Sequence, residues 1–134
     1  MSYSRRDLTL LLPALAAVTA AAQDKSLPSK VYKFEDLTLK GHSRAVLNGE
    51  TKTGCPIEMH ETEVAPGQMP HAPHHHVHEE LMMLREGTLE VTISENVTTI
   101  GPGSAVFIKS GEQHGWKNTG STPAHYFVIA LGRD

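Results

Sequence analysis

The sequence predicts an all-β fold, one small domain of short antiparallel strands, and three observations carry that reading. From residue 31 onward apolar and polar residues alternate with period two, and outside the N-terminal segment no window spaces apolar residues at i, i+3 and i+4 over three turns. Glycine and proline turn signals punctuate the alternating stretches at even intervals. The length of 134 residues suits one compact core of roughly 100 residues and is too short for two. Together these point to a sandwich or a barrel.

The first 22 residues, MSYSRRDLTLLLPALAAVTAAA, are predicted to be an export signal. Arg5-Arg6 precede an apolar run from Leu8 to Val18, and Ala20-Ala21-Ala22 supply the small residues of a cleavage site. The run is short for a bilayer span, so no stable membrane anchor is expected after cleavage. Ser4-Arg5-Arg6-Asp7-Leu8 resembles the twin-arginine signal, with Leu8 where an aromatic is usual and Thr9-Leu10 in place of Leu-Lys. The mature chain is therefore expected in the periplasm or outside the cell. Removal of Arg5, Arg6 and Asp7 would take the formal charge from −3 to −4.

Residues 23–30 read as a polar linker and 31–134 as the domain. Predicted strands are Val31–Leu39, Ser43–Leu47, Ile57–Val64, Glu80–Leu84, Thr88–Ile93, Ala105–Ile108 and Tyr126–Leu131, with a strand-like Gly115–Asn118. The turns between them are Asn48-Gly49, Pro66-Gly67, Glu86-Gly87, Gly101-Pro102-Gly103, Ser110-Gly111 and Asn118-Thr119-Gly120.

Composition excludes several functions. Twelve Lys and Arg against fifteen Asp and Glu give no basic surface for nucleic acid. A lone cysteine, Cys55, rules out a disulfide framework and any multi-cysteine metal site, and no activating base stands beside it. No Ser-His-Asp order, catalytic carboxylate pair or glycine-rich phosphate loop is present.

Histidine is the anomaly. There are nine, and His71, His74, His75, His76 and His78 crowd one short stretch. On an extended chain residues i and i+2 project to the same side, so His74 and His76 can present two imidazoles together, with Glu80 on the same parity. His114, just past the turn at Gly111, is the best candidate for a further ligand. Three imidazoles and a carboxylate suit one divalent first-row metal with open positions. A histidine-rich surface loop that scavenges copper or zinc is the competing reading.

Two motifs sharpen the choice. Gly67-x6-His74-x-His76-x3-Glu80-x6-Gly87 resembles the first cupin motif, with one extra residue after the opening glycine. Gly103-x5-Lys109-x-Gly111-x2-His114-x3-Asn118 resembles the second, with Lys109 where proline is usual. The resemblance covers about Val31–Asp134. It implies a single cupin jelly-roll β-barrel with a metal held by the positions matching His74, His76, Glu80 and His114. It also implies homodimers, with Val31–Leu39 the strand best placed for exchange. Gly87 is expected to open a hairpin turn at positive φ, and Gly111 to turn the chain that aims His114.

Parity places Met82 and Leu84 with Glu80, and Trp116 and Asn118 with His114, so Met82 and Trp116 are candidate pocket residues. So few acids and bases beyond the ligands suggest a small, partly apolar substrate, with the metal supplying the reactivity. Of His71, His75 and His78, at least two should face solvent; His42 and His125 read as strand-edge residues, and the facing of His60 is open. Phe107 and Phe127 read as packing residues. The expected function is that of an exported metal-dependent enzyme acting on a small chelating molecule, dioxygenase-like oxidation being favoured; the alternative is a non-catalytic binder of metal or small ligand. Manganese or iron is the favoured metal, ahead of zinc, nickel or copper.

Overall fold

The computed structural model describes residues 24–134. The expected export signal, Met1–Ala22, lies outside them. Apart from one 3-10 turn at Phe34–Asp36, all regular structure is strand: β1 Ser43–Glu50, β2 Pro56–Val64, β3 Glu79–Glu86, β4 Leu89–Ile93, β5 Asn96–Ile100, β6 Ala105–Ile108, β7 His114–Asn118 and β8 Ala124–Leu131. A five-stranded sheet runs in the order β1-β2-β8-β3-β6 and a three-stranded sheet in the order β5-β4-β7. Neighbouring strands are antiparallel throughout. Val64, Met82, Leu84, Tyr126 and Val128 of the large sheet meet Leu89, Val91 and Trp116 of the small one in a shared core. This is the expected jelly roll.

Register on the large sheet decides what its inner face presents. Thr62, Tyr126 and Leu84 lie level on β2, β8 and β3; His60, Val128 and Met82 form the next rung, and Glu58, Ala130 and Glu80 the one after. The first rung is core. By the third the face has become polar, so the same three strands that close one end of the molecule open a cavity at the other.

Three local expectations fail. Val31–Leu39 is not a strand. Its alternation is satisfied by lying across the outer face of the large sheet, where Tyr32, Phe34 and Leu37 share a small apolar recess with Met59 and Phe127. Phe34 also lies over two guanidinium groups, 5.1 Å from Arg44 and 4.3 Å from Arg85. Beneath it Glu61, completely buried although on the outer face, accepts from Arg44 at 2.6 Å and from His125 at 3.0 Å.

Asn48-Gly49 is not a turn but the end of β1. A Cβ at Gly49 would stand 2.8 Å from the Leu27 side chain, so the glycine lets Leu27 lie close against the strand. The amide of Leu27 donates to the Glu50 carbonyl at 2.8 Å, so the expected linker is docked at this point. Strand β5 was unforeseen. It is an edge strand, exposed over most of its length, and so lacks a buried stripe; the turn before it uses Ser94 at φ 53° in place of a glycine. Phe107 does not pack inward: it is 55% exposed on the outer face.

Candidate metal site

The two ligand-bearing segments are brought together by backbone pairing. His74 and His114 form a two-residue antiparallel bridge, His74 N donating to His114 O at 3.0 Å and His114 N to His74 O at 2.9 Å. Gly111, at φ 75°, turns the chain just before β7 and donates its amide to the His76 carbonyl at 2.8 Å. Lys109 in the usual proline position removes none of these contacts.

One nitrogen from each of His74, His76 and His114 falls within 4.8 Å of the others. Glu80 joins through His76: its carboxylate groups with His76 and His78 within the same limit. All four predicted ligands are therefore gathered at one place, though not as one uniform cluster. His78, expected at the periphery, stacks on the His76 ring at 3.6 Å and belongs to this second group. The C-terminal residue holds it: the Asp134 carboxylate accepts from the His78 and Val77 amides and lies 2.9 Å from His78 Nδ1. These contacts, the His78 amide first, hold the Asp134 carboxyl below the usual range. His71 and His75 are exposed, as expected.

Hydrogen bonding shows which atoms are left over. His114 Nδ1 donates to the Glu112 carbonyl at 2.8 Å and His76 Nδ1 to the His78 carbonyl at 2.8 Å, which turns the lone pair of each Nε2 inward. His114 Nε2, His74 Nδ1 and Glu80 Oε1 are buried with no hydrogen-bond partner among the described residues. His76 Nε2 faces Glu80 Oε2 at 3.1 Å, an arrangement of two acceptors that needs a proton or a cation between them. Buried acceptors without donors are costly in a folded protein, and a divalent cation held among these side chains would supply what they lack. The donor set thus fits a metal.

Burial pushes the His74 pKa down to about 4, with His71, His114 and His76 adding repulsion. The unfolded chain takes up this proton near 6.5, whereas the folded one resists until about 4. The metal-free protein is therefore fully favoured by this group above pH 6.5 and loses stability as pH falls towards 4. Urea titrations of metal-free protein should show the unfolding midpoint dropping across that window, and His74→Gln should flatten the drop. An unchanged slope in that variant would assign the acid sensitivity to other groups.

The site opens into a cavity of about 890 Å³. Trp116 lines it, as expected. Met82 does not: it is 0% exposed and belongs to the core between the sheets, whereas His60 and Val128 on the same rung reach the cavity. Leu84 and Asn118 are likewise buried. Asn118 serves the fold, donating to the Val64 and Thr122 carbonyls at 2.8 Å each. Instead of the apolar wall expected from Met and Leu, the cavity carries His60, Glu58, His42 and Tyr126, with exposed Lys25 and Arg133. The Tyr126 phenol is neutral, burial pushing its pKa up to about 12. Sequence parity alone could have placed Glu58 and His60 on one face; what it lacked was which face of β2 turns inward.

Residues 60–130, more than half the chain, match a family profile described as a cupin domain. Among solved structures, the polyketide cyclase RemF from Streptomyces resistomycificus is similar with a TM-score of 0.62 and 21% identity, over 78% of this chain and 80% of that one. KdgF from Halomonas sp. gives 0.63 and 15%, over 80% of this chain and 97% of that one. An RmlC-like cupin with a double-stranded β-helix fold from Methanocaldococcus jannaschii gives 0.63 and 15%, over 81% and 94%. No curated protein matches the chain.

Proposed function

Because the chain belongs to the cupin family, we propose that His74, His76, Glu80 and His114 hold one divalent metal, and that the protein is a metal-dependent enzyme acting on a small oxygen-chelating molecule. The observation that carries this is the set of buried acceptor atoms on those four residues that no donor among the described residues satisfies, beside a cavity large enough for a small ligand. When bound, the metal would polarise the oxygens of a chelated substrate as a Lewis acid, or exchange electrons if it is manganese or iron. The protein's own part is to aim four donors, to leave the remaining positions facing the cavity, and to keep a neutral phenol and an indole at its wall. Dioxygenase-like oxidation is the reaction class we favour.

Raw affinity at a histidine-rich site favours copper or zinc. Export in folded form by the twin-arginine route would let manganese or iron be loaded first in the cytoplasm, and these are the native metals we propose for a periplasmic or extracellular protein. Met83 and Phe107, 51% and 55% exposed on neighbouring strands of the outer face, support a homodimer by sheet packing. Since Val31–Leu39 covers its own sheet, strand exchange is not part of this proposal.

Elemental analysis of the full chain isolated from its own cell envelope, joined to an oxygen-uptake screen over diphenols, β-diketones and oxalate, tests the reading. About one manganese or iron per chain and uptake with at least one chelator are expected. Full metal occupancy with no turnover would favour the alternative, a non-catalytic binder.

A further inference from the structure

A second polar pair faces the same cavity and has no part in holding the metal. His60 Nδ1 lies 2.9 Å and 3.1 Å from the two oxygens of the Glu58 carboxylate, both residues being on the inner face of β2. A carboxylate only accepts, so Nδ1 carries the proton and Nε2 is left as the basic nitrogen. Register fixes where this pair stands. Glu58 is level with Ala130 and, one strand further, with Glu80. Two strand spacings separate their backbones by roughly 10 Å. The residue between them is alanine, so no side chain fills the gap. A part-exposed hydrogen bond of this kind adds only about 0.5–1.5 kcal/mol to stability, which gives little reason to set it on the inner rather than the outer face of the sheet.

Resting on the metal-dependent reading above, we infer that His60 is the base that deprotonates the chelating substrate, and that Glu58 is its positioning residue. The substrate class is a molecule with two adjacent or β-related oxygens that binds as its anion: a β-dicarbonyl, an enediol or a diphenol. The acidic O–H or C–H bond breaks heterolytically, its electron pair stays on the substrate, and the proton moves to His60 Nε2. Glu58 then balances the charge of the imidazolium. No oxidant is needed for this step. Val128 and Met82, which share the rung of His60, carry no charge; the other titratable groups on this wall are Tyr126 of β8, Glu80 of β3, and His42 and Glu50 at the two ends of β1.

The test uses the full chain loaded with zinc, which is redox-silent, and 4-nitrocatechol, whose visible spectrum reports its ionisation. Proton release is followed by calorimetry in buffers of different ionisation heat. Wild type should bind the probe as its dianion while keeping one of the released protons. H60Q should hold zinc with unchanged stoichiometry, bind the probe at least about tenfold more weakly, and release one additional proton to the buffer. E58Q should fall between the two. Unchanged affinity and proton release in H60Q would overturn the role of His60, as would a zinc-loaded wild type that does not bind the probe. Failure of wild type to hold zinc would instead overturn the metal reading, and this role with it; the metal content measured first tells the two apart.

Discussion

Replacing His114 by alanine is expected to lower the affinity for a divalent metal by well over 100-fold, because loss of even an outer partner of a ligand costs about 10–100-fold. His114 is fully buried, its Nδ1 is fixed on Glu112, and its Nε2 has no hydrogen-bond partner among the described residues. His75→Ala, in the same histidine-rich stretch but exposed, should leave affinity unchanged. Isothermal titration with zinc on the two variants separates a site inside the fold from a histidine-rich surface loop. If His75→Ala were the damaging change, the surface-loop reading would stand. The comparison also guards against a folding artefact, which thermal melts of both variants would reveal.

The second large effect concerns backbone. Gly87 has φ 87°, and a Cβ there would stand 2.7 Å from the Ala124 Cα and 2.8 Å from the Pro123 carbonyl oxygen. Neither neighbour is a flexible side-chain end, so β3, β4 and the start of β8 would have to separate. Gly111 has a similar φ of 75° but open space around the added atom. Gly111→Ala should therefore cost only the left-handed backbone term, about 1–2 kcal/mol. Gly87→Ala adds overpacking of typically 1–3 kcal/mol, and should lose roughly 3–4 kcal/mol in all. Chemical denaturation of the two proteins measures the gap, and equal losses would show that β8 yields without cost.

Strand identity was largely legible because one face of most strands is buried, and burial writes itself into the sequence as alternation. Where that condition fails, so does the reading. β5 is exposed on both sides at the edge of its sheet, and nothing selects a pattern there. The alternation of Val31–Leu39 is real but serves a segment draped over a sheet, a use that local sequence does not distinguish from pairing. At the site, spacing drew in His74, His76, Glu80 and His114, since i+2 parity and the two motifs are local features. The depth of Met82, the recruitment of His78 by Asp134, and the inward turn of Glu58 and His60 depend on register between distant strands. Glu61 is the clearest case: it sits on the outward parity, yet it is sealed by Phe34 and two arginines.

The His74–His114 bridge has a consequence for how the molecule holds together. His114 belongs to the small sheet, whereas Glu80 belongs to the large one, and His74 and His76 lie on the loop that leads into it. A cation shared among them would be a cross-brace between the two halves of the sandwich, closing a loop with 39 residues between positions 74 and 114. The paired amides already hold two of the anchoring points together before any cation arrives. Occupancy would then oppose the parting of the two sheets, a cross-link supplied by a cation in a chain whose lone cysteine allows no internal disulfide.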